Sequence, residues 1–126
     1  MTGTSLSILV VDDERISQII LKKLSENLGH RVSVASTGKA AIEAMQGHLF
    51  DAVLLDVELP DTTGPELVAR VRNGEAGETQ RGMRVIAVTG HAMEGDREEL
   101  LQSGMDAYLS KPVTAHDLDE LFRSLG

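Results

Sequence analysis

A handful of residues in this sequence pair a chemical capability with a common place in the pattern. Asp12 and Asp13 follow one short apolar run and Asp56 ends another, while Thr89 closes a further run and Lys111 follows the last, ahead of Pro112. In an open parallel sheet, ligands bind beyond the carboxyl ends of the strands, where the strand order reverses. If the order is 2-1-3-4-5, the first and third runs flank that reversal. Asp12, Asp13 and Asp56 then meet in one crevice, with Thr89 and Lys111 on its far side. Three carboxylates held together repel one another and call for a cation. Hard oxygen ligands with room for water suit Mg²⁺, or Mn²⁺, better than a softer metal. A divalent ion, an ammonium and a hydroxyl around one carboxylate can neutralise a phosphoryl group, and phosphoryl transfer needs chiefly that positioning and charge compensation. Aspartate is itself a covalent phosphoryl acceptor. Taken singly, each residue has a plainer role: helix cap for Asp12 or Asp13, turn residue for Asp56, strand residue for Thr89, turn start for Lys111. Their joint placement at one sheet edge is what points to chemistry.

The elements that must hold these residues are legible as alternating patterns. Apolar runs occupy 6–11, 31–35, 52–55, 85–88 and 107–109. The first, third and fourth are nearly continuous in Val, Ile, Leu and Ala, as strands covered on both faces are. The second alternates apolar and polar residues and suits a sheet edge. Between the runs the period becomes helical. Ile16, Ile20, Leu24 and Leu28 form one stripe, closed by Gly29; Ala40, Ala41, Ala44 and Met45 form a second, closed by Gly47. Pro65, Leu67, Val68 and Val71 make a third, Leu100 and Leu101 lie in a fourth before Gly104, and Leu118, Leu121, Phe122 and Leu125 make the last. Strand and helix alternating in this way predict an α/β sandwich with right-handed crossovers. Residues 73–82, rich in Gly and polar side chains, read as a mobile loop. His30, His48 and His116 read as surface residues without metal-ligand spacing.

Composition narrows the classes. The chain has 126 residues, 41% of them hydrophobic, which suits a single domain over residues 1–126 with a core of its own. Phe50, Tyr108 and Phe122 are its only aromatic residues, so that core is aliphatic. Twenty acidic against 12 basic side chains give a net charge of −8, which argues against nucleic acid or an anionic membrane as partner. The absence of cysteine excludes disulfide scaffolds, Cys-ligated zinc and thiol catalysis. The first residues lack the features of a signal peptide, and no apolar stretch approaches the roughly 18 residues of a membrane span. A soluble, cytoplasmic protein is expected.

Four segments together resemble the receiver domain of two-component response regulators: Val10-Val-Asp-Asp-Glu14, Leu54-Leu-Asp-Val-Glu-Leu-Pro60, Val88-Thr-Gly-His-Ala92 and Met105-Asp-Ala-Tyr-Leu-Ser-Lys-Pro-Val113. The resemblance covers essentially the whole chain. It implies a flavodoxin-like (βα)5 fold of strand order 2-1-3-4-5. It also implies that Asp56 accepts a phosphoryl group from a phosphohistidine on a sensor histidine kinase or histidine phosphotransfer domain. By matching position, Asp13 and Asp56 would ligate Mg²⁺ with the backbone carbonyl of Glu58, and Asp12 would act through metal-bound water. Thr89 and Lys111 would each engage a phosphoryl oxygen. Tyr108 would be an aromatic switch coupled to Thr89, remodelling a face of the fourth helix, fifth strand and fifth helix for a downstream protein. Such a domain is a signalling switch rather than an enzyme. The segment 104–113, with Thr-Gly-His-Ala-Met before it, is most similar to receivers of hybrid sensor histidine kinases, so the expectation is a stand-alone receiver or a piece of such a kinase.

Gly90 stands where the family often has alanine, and Thr63 where it often has aspartate. Glu58 and His91 flank the expected site and are expected to set the lifetime of the acyl phosphate. A haloacid dehalogenase-type phosphatase also phosphorylates a strand-end Asp, but it places a second Asp two residues on, where this chain has Glu58. No Gly-x-Gly-x-x-Gly or Walker A stretch supports a nucleotide site. A receiver reduced to a phosphorylation-independent docking domain is the remaining alternative.

Overall fold

The computed structural model describes residues 5–57, 59–90 and 94–125. Strands and helices alternate as β1 (Ser7–Val11), α1 (Arg15–Asn27), β2 (Arg31–Ala35), α2 (Gly38–Gly47), β3 (Ala52–Asp56) and α3 (Gly64–Arg72). A short 3₁₀ turn (Glu78–Gln80) then precedes β4 (Arg84–Thr89), α4 (Glu94–Gln102), β5 (Ala107–Ser110) and α5 (Ala115–Leu125). The strands form one parallel sheet of order β2-β1-β3-β4-β5, the flavodoxin-like arrangement expected.

The continuous apolar runs are the strands that helices cover twice. Ile8, Leu9, Val10 and Val11 of β1 are all fully buried, because successive side chains enter opposite layers. Ile8 and Val10, with Ala52, Leu54, Ile86 and Val88, join Leu21 of α1 and Leu118 and Phe122 of α5. Leu9 and Val11, with Val53, Leu55, Val85 and Ala87, join Ile42 and Met45 of α2, Leu67, Val68 and Val71 of α3, and Leu100 of α4. The alternating run becomes β2 at the sheet edge, where only Ala35 is buried. Gly29 and Gly104 both adopt positive φ (96° and 113°) just past their helices, as glycine at that position permits.

Three expectations need correction. The stripe through Ile16, Ile20, Leu24 and Leu28 is not the inner face of α1: Ile16 and Ile20 are 74% and 48% exposed, whereas Leu21 and Ser25 are buried. With 3.6 residues per turn, each four-residue step overshoots a full turn by about 40°, so a strict spacing of four walks about 120° from solvent to core over three steps. Residues 73–82 are not a free loop either. Gln80 is 2% exposed, donates to the carbonyls of Met45 (2.8 Å) and His48 (2.7 Å), and accepts from the Phe50 amide at 3.5 Å. Its side chain is the anchor that a reading of the segment's Gly content overlooks. His30 is half-buried rather than superficial, edge-on to Phe122 at 4.8 Å and accepting a 3.0 Å hydrogen bond from the Leu6 amide. Among the described residues, no helix is long and apolar enough to cross a membrane.

Candidate functional site

The parallel register delivers the site residues to one edge. β1 and β3 are neighbours, paired from Ile8–Ala52 to Val11–Leu55, so Asp12 and Asp13 leave β1 beside Asp56 at the end of β3. The carboxylates of Asp12, Asp13 and Asp56 each offer an oxygen, and these oxygens lie within 4.8 Å of one another. β4 ends at Thr89, which is 6% exposed, and the backbone amide of Lys111 donates to the Thr89 carbonyl at 2.8 Å. That bond carries Lys111, which precedes Pro112 across a cis peptide bond, to the same edge. Asp13, Asp56, Thr89 and Lys111 line one open crevice.

The carboxylates differ in their surroundings. Asp12 is 1% exposed; one oxygen accepts from the Glu14 amide at 2.9 Å and the other from Lys111 Nζ at 3.0 Å. The capping alternative is thereby settled: Glu14, not an aspartate, is the N-cap of α1 and makes no side-chain cap, while Asp12 serves the turn before it. Lys111 Nζ also donates to Ser17 Oγ at 3.2 Å and lies 3.6 Å from Glu14 Oε1. Burial works against the ammonium, but the hydrogen bond and charge of Asp12, with Asp56 and Glu14 beyond it, outweigh burial and hold Lys111 above its ordinary value. Three carboxylates gathered at one crevice repel one another, and Lys111 Nζ bonds Asp12 among them, so a divalent cation suits the site. An all-oxygen donor set at this spacing, open to solvent on one side, suits a small hard ion that keeps some of its water.

Tyr108 sits half-buried on β5, packed against the α2–α3–α4 layer, with its hydroxyl 3.2 Å from Ser110 Oγ. Thr63 caps α3, its hydroxyl oxygen accepting from the Glu66 amide at 3.3 Å. A Cβ on Gly90 would meet nothing within 4 Å. Glu58 and His91, both expected to contribute, lie outside the described residues.

Two contributors escaped the reading of the sequence. Ser17, one turn into α1, holds Lys111; a lone serine on a helix gives no signal. Asp61 accepts from the Gly38 and Lys39 amides, a contact across 22 to 23 residues that no local pattern betrays.

The sequence profile described as the response regulator receiver domain matches residues 8–123. Among curated proteins, the sensor protein GacS of Pseudomonas syringae pv. syringae is 37% identical over 114 residues. That alignment covers 90% of this chain and 13% of GacS. The polar-differentiation response regulator DivK of Brucella ovis is 31% identical over 118 residues, covering 94% of each. Among solved structures, the receiver domain of a sensor histidine kinase from Pseudomonas aeruginosa, with a magnesium ion coordinated in its active site cleft, superimposes with a TM-score of 0.83. It is 32% identical, covering 97% of this chain and 98% of that one. The chain thus spans a small fraction of one curated relative and nearly all of another.

Proposed function

The chain belongs to the response regulator receiver domain family, and from that premise we propose that it is a phosphorelay switch whose acceptor is Asp56. A carboxylate oxygen of Asp56 attacks the phosphorus of a phosphohistidine; the P–N bond breaks as the P–O bond forms, and the released imidazole takes up a proton. The observation that carries this reading is the acidic trio within 4.8 Å, with an ammonium bonded to one member, at the carboxyl edge of the sheet. The magnesium ion in the cleft of the Pseudomonas aeruginosa receiver supports a similar ion here. Asp12, Asp13 and Asp56 would hold Mg²⁺, or Mn²⁺, with the backbone carbonyl of Glu58 as a further ligand, and the ion supplies charge neutralisation at the transferring group. Lys111 keeps its hydrogen bond to Asp12 and turns a second N–H to a phosphoryl oxygen. Thr89 donates its hydroxyl to another, and Tyr108 follows Thr89 inward. The changed face of α4, β5 and α5 is what a downstream protein reads. Glu58 and His91 govern how readily water reaches the acyl phosphate.

The donor is a sensor histidine kinase or a histidine phosphotransfer domain, working in the cytoplasm. The exposed Ile16, Ile19 and Ile20 on α1, beginning two residues beyond the crevice-lining Glu14, give such a donor an apolar surface that places its histidine near Asp56. Residues 1–126 act as one receiver domain, stand-alone or within a hybrid histidine kinase. It assists only its own phosphorylation and dephosphorylation and turns over no external metabolite. The test is intact mass after incubation with Mg²⁺ and acetyl phosphate. A Mg²⁺-dependent gain of one phosphoryl group, absent in Asp56→Asn, is expected. Uptake that persists in Asp56→Asn assigns the acceptor elsewhere, and no uptake, from acetyl phosphate or from a phosphohistidine donor, leaves a docking domain.

A further inference from the structure

The segment between β3 and α3 forms one wall of the crevice, and Val57, Leu59 and Thr63 line it. Among its described residues, the Gly64 amide donates to the Val57 carbonyl at 2.7 Å, and the Leu59 amide donates to the Thr62 carbonyl at 3.1 Å. A further tie leaves the segment altogether. Asp61 spreads its carboxylate over the first turn of α2, with one oxygen 2.8 Å from the Gly38 amide and the other 3.0 Å from the Lys39 amide. Those two bonds, the Gly38 one foremost, hold the carboxyl below the usual carboxylate range, so it stays ionised and clasped at neutral pH. α2 does not need Asp61 for its own cap, because Thr37 Oγ1 already accepts from the Ala40 amide at 3.0 Å. The approach at Gly38 is close: a Cβ there would stand 2.4 Å from Thr62 Cγ2 and 3.3 Å from Asp61 Oδ1, so the Thr62 side chain would have to turn away.

We propose that Asp61 is a positioning residue for the metal site: by clasping the N-terminus of α2 it fixes the crevice wall that begins at Asp56. The inference rests on the receiver reading, since it assumes that Asp12, Asp13 and Asp56 bind Mg²⁺. A loop held at 57–64, 59–62 and 61–38 keeps Asp56 aligned before the ion arrives, so the ion does not have to order it.

The experiment is a Mg²⁺ titration of the whole chain by calorimetry, with a melting curve for every variant. Asp61→Ala should bind Mg²⁺ about fivefold more weakly, the low end of ordinary coupling between sites. Gly38→Ala, which leaves every charge in place but forces Thr62 away, should weaken binding similarly. Adding Thr62→Ala to Gly38→Ala removes the clash and should restore it. Thr37→Ala, which uncaps the same helix without touching the loop, should lower the melting temperature and leave Mg²⁺ affinity unchanged. Should Asp61→Ala not fold, Asp61→Asn, with a single acceptor oxygen left, takes its place. The proposal is overturned if Thr37→Ala weakens binding as much as Asp61→Ala does. It is equally overturned if Asp61→Ala weakens binding and Gly38→Ala does not, for then charge alone is at work, or if neither does. Wild-type protein that binds no Mg²⁺ removes the receiver reading itself and the proposal with it.

Discussion

The two edges of the same sheet handle charge in opposite ways. At the amino edge, Asp106 is matched on every side: Arg72 Nη2 at 2.9 Å, Arg84 Nη1 at 3.6 Å and the Val85 amide at 2.8 Å. Arg72 in turn satisfies the carbonyls of Arg81, Met83 and Gly104, and Asp51 takes the Ser7 amide at 2.8 Å. At the carboxyl edge, three carboxylates lie within 4.8 Å of one another, and Lys111 bonds Asp12 among them. One edge is arranged for stability. The other gathers like charges, the arrangement that on the proposed reading receives an ion and a phosphoryl group.

Substitutions can sharpen or break that contrast. The largest stability effect belongs to the amino edge, where Gln80→Ala orphans two carbonyls and an amide around a buried position. We expect a loss of about 3 kcal/mol in urea unfolding, with phosphoryl uptake per folded molecule unchanged. Lost uptake would mean that the two edges are not separable. Asp13→Asn at the carboxyl edge should do the reverse. Removing one of three mutually repelling charges should raise the stability of the metal-free protein by about 0.5 kcal/mol. Mg²⁺ is expected to raise the melting temperature of wild type, and the same change should remove most of that rise. A variant less stable than wild type in chelator would show that the acidic trio is not strained.

The smallest effect is a pH dependence at the amino edge. Burial lowers the pKa of His30 from 6.5, against the pull of Asp119 and Asp51, and its Nδ1 must stay unprotonated to accept from Leu6. The folded chain therefore binds this proton less readily than the unfolded one. His30 contributes stability above pH 6.5, and the contribution is lost as pH falls through that value toward its folded pKa. The urea midpoint of wild type should drop more between pH 7.5 and 5.5 than that of His30→Gln; equal drops would remove His30 from the account.

Site and strands were legible for the same reason. A parallel sheet sends every strand end to one edge, so Asp12, Asp13, Asp56, Thr89 and Lys111 could be grouped once the strand order 2-1-3-4-5 was taken from the family resemblance. Helix faces were less legible. The isoleucines of α1 look like core residues in sequence, yet they point outward, and a buried Ser25 takes an inner position no apolar pattern would give it. What stayed hidden depends on partners far along the chain. The amide of Gln80 finds carbonyls more than thirty residues away, and Asp61 caps a helix that precedes it. Neither contact leaves a local trace in residue type or period.

The bond from Lys111 to Asp12 joins residues 99 positions apart. During synthesis, all three aspartates have been added once Asp56 is in place, but the lysine that pairs with Asp12 follows only after β5. At about 5–20 residues per second, several seconds separate the two events. For that interval a nascent chain carries the three aspartates without the ammonium that bonds Asp12 in the folded domain. The residue that follows β5 thus completes a charge arrangement that β1 and β3 begin.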